Sequence, residues 1–184
     1  MIITITGKPC SGKGTVSKLF CKKYNFELKS IGDMMRQIAL DHGYQTILDF
    51  QQNYKKMHEI DNMVDEQTAN FGKQNINKDV VFDSRLAWYF IPGSFKVFID
   101  VSWNTAGNRL MLANREHEKA ESEEQAVKLL KARWQAENDR YTHLYNTNNL
   151  NPKNYNIIIN SDNKTPEEIA DEIYLEYKKF MHLA

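Results

Sequence analysis

The chain opens on an alternating β-branched run, Ile2-Ile3-Thr4-Ile5-Thr6, which stops at Gly7 and gives way to Lys8-Pro9-Cys10-Ser11-Gly12-Lys13-Gly14-Thr15. A helical pattern then runs through Val16, Leu19 and Phe20. No other stretch restricts the fold as strongly. A buried strand, a glycine-rich loop, a lysine and a helix in that order predict a turn that cradles an anion. Backbone N–H groups of the loop and of the helix start converge on one point, and the helix dipole adds positive potential there. Gly7 and Gly12 let the backbone turn and approach the anion with no Cβ in the way. Lys13 would reach the β- and γ-phosphates of a bound polyphosphate. The alternative is a plain glycine-rich corner, which leaves the lysine and the spacing without a reason.

The 184 residues suit a single domain, 1–184, with room for a mobile insert. Hydrophobic residues make up 41% of the chain, enough for a packed core and too many for disorder. The 24 basic and 24 acidic side chains cancel. That excludes nucleic-acid binding driven by bulk charge, so any anion site must be local. The cysteines are Cys10 and Cys21; a disulfide through Cys10 would block the loop, and such sparing use fits a reducing cytoplasm. The first residues carry no basic and apolar leader, and no apolar run approaches the ~18 residues of a membrane span. A cytoplasmic monomer without membrane or nucleic-acid partners is the expectation.

Further along, Phe26 to Ser30 reads as a second strand, Asp79 to Phe82 as a third, Phe95 to Val101 as a fourth and Tyr155 to Ile159 as a fifth. Helical patterns lie between them, so the repeated βα unit predicts an α/β fold, a parallel sheet covered by helices on both sides. Ser30, Gly32 and Asp33 are turn and cap residues opening a helix with Met34, Met35, Ile38 and Leu40. Arg36, one turn in, is either a solvated charge or a clamp on the phosphate of a second substrate. Residues 41–78 read as small polar helices on one side of the core. Asp61 and Asp65 there share a helix face, as surface charges or near the second substrate. Asp83 ends the third strand, where a carboxylate in a phosphate-loop protein holds Mg²⁺ directly or through water. Arg85 just beyond it is another candidate for the acceptor phosphate.

The helix from about Trp103 to Asn114 carries Arg109 and leads to Arg115. Residues 115–125 are highly charged and read as a mobile lid or as a solvated connector. On the helix from about Glu123 to Tyr145, Val127, Leu130, Trp134, Tyr141 and Tyr145 form an apolar stripe. Arg133, Glu137 and Arg140 border it, lining a cleft or forming an intrahelical ion ladder. Thr165-Pro166-Glu167-Glu168 starts the last helix as a capping box with Pro at its first position. The five histidines are scattered and carry no catalytic pattern.

The hydroxyl after the lysine is displaced: Gly14 follows Lys13 and Thr15 comes one place later. That G-K-G-T form is associated with kinases of nucleoside monophosphates. Together with SIGDMMRQIA, EIDNMVDEQ, VVFDSRLAW, NRLMLANRE, RWQAENDRY and NSDNKTPEEIADEI, in that order, it makes the chain resemble the cytidylate kinases of the short type over nearly its whole length. The resemblance implies a three-layer P-loop kinase fold with strand order 2-3-1-4-5. It also implies an acceptor-binding helical segment at about 33–78 and an arginine-bearing lid at about 113–125. Gly7, Lys8, Pro9, Cys10, Ser11, Gly12, Lys13, Gly14 and Thr15 would hold the ATP phosphates, and Asn160, Asp162 and Lys164 would border the adenine. Arg36, Arg85 and Arg140 would surround the acceptor phosphate, with Ser30, Gly32, Asp33 and Asp61 near them. Lys13, Arg109, Arg115 and Arg133 would neutralise charge on the transferring phosphoryl group. Glu137 would meet the acceptor sugar, and Asp83 with Thr15 would hold Mg²⁺, Asp83 through water. The general bacterial pattern has D-G-R-D where this chain has Asp83-Ser84-Arg85-Leu86; the short type shares the leucine. The implied reaction is phosphoryl transfer from ATP to CMP or dCMP. Other acceptors on the same fold (AMP, UMP, dephospho-coenzyme A) and a non-catalytic ATP-binding switch are the alternatives.

Overall fold

The computed structural model describes residues 1–45, 50, 57–75, 77–113 and 120–183. Arg115 and residues 114–119 of the expected lid lie outside them, as do 46–49 and 51–56 of the expected acceptor-binding segment. Strands β1 (Ile2–Gly7), β2 (Glu27–Ser30), β3 (Val80–Asp83), β4 (Phe95–Asp100) and β5 (Ile157–Asn160) form one sheet. Its order is β2-β3-β1-β4-β5, and every neighbouring pair is parallel. This is the order that the resemblance implied. The strand limits move by a residue or two from the expected ones because Phe26, Asp79, Val101 and Tyr155 lie just off the ladders.

The β1 sequence explains the two faces of the sheet. Ile3 and Ile5 point to the face covered by α1 (Lys13–Tyr24) and the C-terminal helix Pro166–Leu183, where they meet Val16, Phe20, Ile169 and Ile173. Ile2 points the other way, into a cluster with Val80, Phe82 and Ala87. Thr4 and Thr6 share that second face, buried and satisfied. Thr4 Oγ1 bonds Ser94 Oγ at 3.0 Å, and Thr6 Oγ1 donates to the Arg85 carbonyl at 3.1 Å.

The remaining helices among the described residues are α2 (Ile31–Asp41), α3 (Met57–Gln74), the short α4 (Ala87–Phe90), α5 (Trp103–Leu112), α6 (Glu123–Tyr145) and α7, the C-terminal helix. Neither α4 nor the 3-10 turn Pro152–Asn154 was expected; each is too short to show a period in sequence. The α7 capping box forms: Thr165 N donates to Glu168 Oε2 at 2.7 Å and Glu168 N to Thr165 Oγ1 at 3.2 Å. Helices α2 and α3 are more than polar cover, since Met35, Ala39, Phe50, Ile60 and Val64 give them a small core of their own. On α6 the buried ridge is Ala126, Leu130, Trp134 and Asn138, while Val127, Tyr141 and Tyr145 are half-buried. Asn138 is inside because its amide donates to the Trp134 carbonyl at 2.7 Å and accepts from Asn149 N at 2.7 Å. No helix among the described residues is long and apolar enough to cross a membrane.

Candidate functional site

Parallel strands deliver their last residues to one edge of the sheet. Here those residues are Gly7, Ser30, Asp83, Asp100 and Asn160. The loop after β1 crosses this edge and enters α1 through Gly12, whose φ of 85° is left-handed and whose position gives no side-chain cap. The first turn of α1 contains no acidic residue either. Its initial N–H groups therefore point outward with no side chain of their own to satisfy them, which suits an anion. Cys10 also takes a left-handed φ, 59°, and so helps curve the loop. Gly7 is required by packing, since a Cβ there would lie 2.3 Å from the Ile99 carbonyl oxygen and 2.9 Å from Ser11 Oγ.

Lys13 is the centre of the site. It pairs with Asp83, whose side chain is 10% exposed. Burial pushes the lysine amine down to about 7, and the Arg85 guanidinium adds to the shift. Glu137, Arg36 and Asp33 act on the same amine, so residues from α1, α2, the turn after β3 and α6 meet here. Arg85 donates to the Gly7 carbonyl, and its Nε lies 3.4 Å from Glu137 Oε2. Arg133 Nε reaches the other oxygen of Glu137 at 3.2 Å. Arg36 pairs with Asp33, next to the Ser30 hydroxyl that caps α2. Each of these cations is thus held by a carboxylate that an incoming phosphate could replace.

The structure separates other expected partners. Arg140 leaves the Arg133–Glu137 strip and pairs with Asp61 on α3, while Tyr145 donates to Asp65 there. Burial lifts the Asp65 carboxyl above its usual range, although the Tyr145 hydroxyl opposes that. Lys8 turns its amine away to Asp100, at 2.7 Å, and to the Val101 carbonyl, at 3.2 Å, so only its backbone remains in the cradle. Arg109 donates to the Cys10 carbonyl at 3.3 Å, to Ser161 Oγ at 3.0 Å and to the Ser161 carbonyl at 2.7 Å. It ties the phosphate loop to the loop after β5. In that second loop Asp162 accepts from Ser102 N at 2.9 Å and from Asn160 Nδ2 at 3.2 Å, and Lys164 pairs with Glu172. Thr15 is exposed on α1.

Tyr141 was expected only as part of the apolar stripe. Its hydroxyl is held well above the usual range by burial and by the Glu137 carboxylate, with Arg85, Arg140 and Asp65 also acting on it. It therefore feels the same charged groups that surround Lys13, and its neighbours in space, not its place on the helix, reveal this. Among the described residues no three His, Cys, Asp or Glu side chains group as a metal cage. The place beside Gly14 nevertheless suits a hard cation that keeps most of its water. A Cβ on Gly14 would come within 3.3 Å of Asp83 Oδ2, so glycine keeps that oxygen open. One carboxylate and one hydroxyl, Asp83 and Thr15, could hold Mg²⁺ in the way phosphate-bound Mg²⁺ is commonly held.

The sequence model of the Cytidylate kinase-like family matches residues 2–163. A cytidylate kinase of Archaeoglobus fulgidus is 32% identical over 97% of this chain and 97% of its own. An S-adenosylmethionine-dependent nucleotide dehydratase of Lacinutrix mariniflava is 36% identical over 96% of this chain, which spans only 36% of that relative's length. Among solved structures, a shikimate kinase from Bacteroides thetaiotaomicron shares the fold, with a TM-score of 0.66 at 14% identity over 99% of this chain and 98% of its own. The phosphate loop, the strand order and an equal-length relative agree with the family match, which runs from β1 through the loop after β5. The chain belongs to the cytidylate kinase-like family and is a nucleotide kinase-type phosphotransferase.

Proposed function

We propose that the protein transfers the γ-phosphoryl group of ATP to CMP or dCMP, giving ADP and CDP or dCDP. The observation that carries this reading is the meeting of Lys13 with Arg85, Arg36 and Glu137 at the mouth of the phosphate loop. The loop and Lys13 bind the donor phosphates, and Arg36 and Arg85 hold the acceptor phosphate. The carboxylates that now face these cations give way to phosphate oxygens. Transfer is in line and uses no covalent enzyme intermediate, so positioning and charge neutralisation are the protein's main contributions. Thr15, and Asp83 through water, would hold Mg²⁺, which would supply charge neutralisation at the phosphates. Glu137 and Tyr141 stand where the acceptor sugar would lie. Arg109 keeps the loop from Asn160 to Lys164 against the phosphate loop and so shapes the adenine side; Arg133 reaches the centre through Glu137. The segment 33–78 serves as the acceptor side and 113–125 as the lid.

An ADP-release assay across CMP, dCMP, UMP and AMP tests the reading. CMP or dCMP should be phosphorylated. Absence of activity with both would move the assignment to another acceptor or to an ATP-binding switch.

The state of Lys13 adds a pH-dependent expectation. With its amine brought down to about 7 in the empty site, Lys13 is less fully charged at pH 8.5 than an ordinary lysine. Phosphate charges favour the ammonium form, so binding ATP at that pH should take up a fraction of a proton. The uptake should vanish near pH 6, where Lys13 is already charged. Titration calorimetry at pH 8.5 in two buffers of different ionisation enthalpy measures it; equal heats would count against the shift.

A further inference from the structure

A cavity of about 240 Å³ lies between α2, α3 and the end of β3. Ile31, Met34, Phe71 and Phe82 form its apolar walls, and the Phe71 and Phe82 rings stand nearly perpendicular, 5.4 Å apart. Ser30 and Ile31 on its rim begin the helix that carries Arg36. The Arg36 guanidinium folds back to within 3.8 Å of where a Cβ on Gly32 would sit. The cavity therefore adjoins the cation assigned to the acceptor phosphate, and an apolar cleft with aromatic walls beside a phosphate clamp suits a nucleobase.

The polar groups on the α3 side are Gln67 and Thr68. Thr68 spends its hydroxyl proton on the Val64 carbonyl at 2.8 Å. The Lys29 amine at the rim is engaged by Glu27 at 2.5 Å and lies over the Phe71 ring. Gln67 is exposed on α3, and its amide makes no hydrogen bond to the described residues. Among the lining side chains it is the one planar group that offers a donor and an acceptor side by side. Leu86, next to Arg85, is apolar and buried and adds no fixed acceptor.

We propose that Gln67 reads the edge of the acceptor base, and that its freely turning amide lets the site take cytidine and uridine monophosphates alike. This rests on the nucleotide-acceptor reading above and narrows it. Cytosine presents a ring-nitrogen acceptor beside an exocyclic amine donor; uracil presents a ring N–H donor beside a carbonyl acceptor. A primary amide pairs with either edge after a half-turn of its terminal torsion, which is broad and two-fold. Among the described residues no hydrogen bond fixes the Gln67 amide in one sense.

Steady-state kinetics with CMP and UMP tests this on the wild type and on Gln67→Ala and Gln67→Met. An exposed helix position tolerates both substitutions, so melting temperature and the KM for ATP should stay unchanged. The wild type should use CMP and UMP with kcat/KM values within about tenfold. Loss of two neutral hydrogen bonds should lower kcat/KM for both by about 10- to 100-fold, mainly through KM. Discrimination against UMP beyond a hundredfold in the wild type, or unchanged kinetics in both variants, overturns the proposal while leaving the kinase reading intact. A wild type that turns over neither nucleotide overturns the CMP reading above and this proposal with it.

Discussion

Replacing Lys13 by methionine is expected to reduce phosphoryl transfer by about a thousandfold or more while the sheet and its helices persist. Methionine keeps the length and the packing of the stem, so what is lost is the charge at the mouth of the loop. That charge would face the donor phosphates, and it sits among Arg85, Arg36 and Glu137. The substitution also leaves Asp83 without its counter-ion. Both partners are largely buried, with side-chain exposures of 17% and 10%. A fully buried pair broken on one side costs ~3–5 kcal/mol, and the residual exposure here brings the expected loss to ~2–3 kcal/mol. Combining Lys13→Met with Asp83→Asn removes the stranded charge and should recover most of that stability without recovering activity. Urea unfolding of the single and double variants, beside coupled kinase assays, separates the two effects. Near-wild-type turnover in Lys13→Met would refute the role given to this lysine.

How much of this could be read from sequence depends on the range of the interaction that decides it. Gly7, Gly12 and Lys13 were legible because strand period, turn chemistry and helix start are local, and the structure sets them along one strand–loop–helix turn. Asp83 was legible for the same reason, as the residue where a β-branched run ends. Strand order was not legible from the βα alternation, because right-handed crossovers permit several orders; only the resemblance supplied it. The partners of the arginines were the least accessible. Helix periodicity placed Arg133, Glu137 and Arg140 on one strip, yet Arg140 reaches across to Asp61 on a separate helix. Arg109 was expected at the transferring group, but the start of α5 beside Asp100 sets it against Cys10 and Ser161. Gln67 and Tyr141 carried no signal of their own. A polar residue on an amphipathic helix looks like a solvent contact, and a tyrosine on a stripe looks like core. Their roles follow from what β3, α2 and α6 bring opposite them.

Asp83 bears the second large effect, because it faces two ways. One oxygen pairs with Lys13, and the other, Oδ2, lies beside Gly14. Asp83→Asn keeps the shape and removes the charge that would hold the Mg²⁺ water shell. It is expected to lower kcat by about 10²- to 10³-fold. The KM for ATP should change much less, since the loop backbone and Lys13 still bind the phosphates. Gly14→Ala provides a graded control. Its methyl would press on Oδ2 at 3.3 Å without altering any charge, so it should lower kcat less than Asp83→Asn does. If the carboxylate acted only as a structural partner of Lys13, both variants would lose stability and leave kcat within about tenfold of the wild type. Measuring kcat against Mg²⁺ concentration divides these cases. A metal-linked Asp83 gives a variant whose half-saturating Mg²⁺ rises together with the fall in kcat, whereas a purely structural one leaves that concentration unchanged.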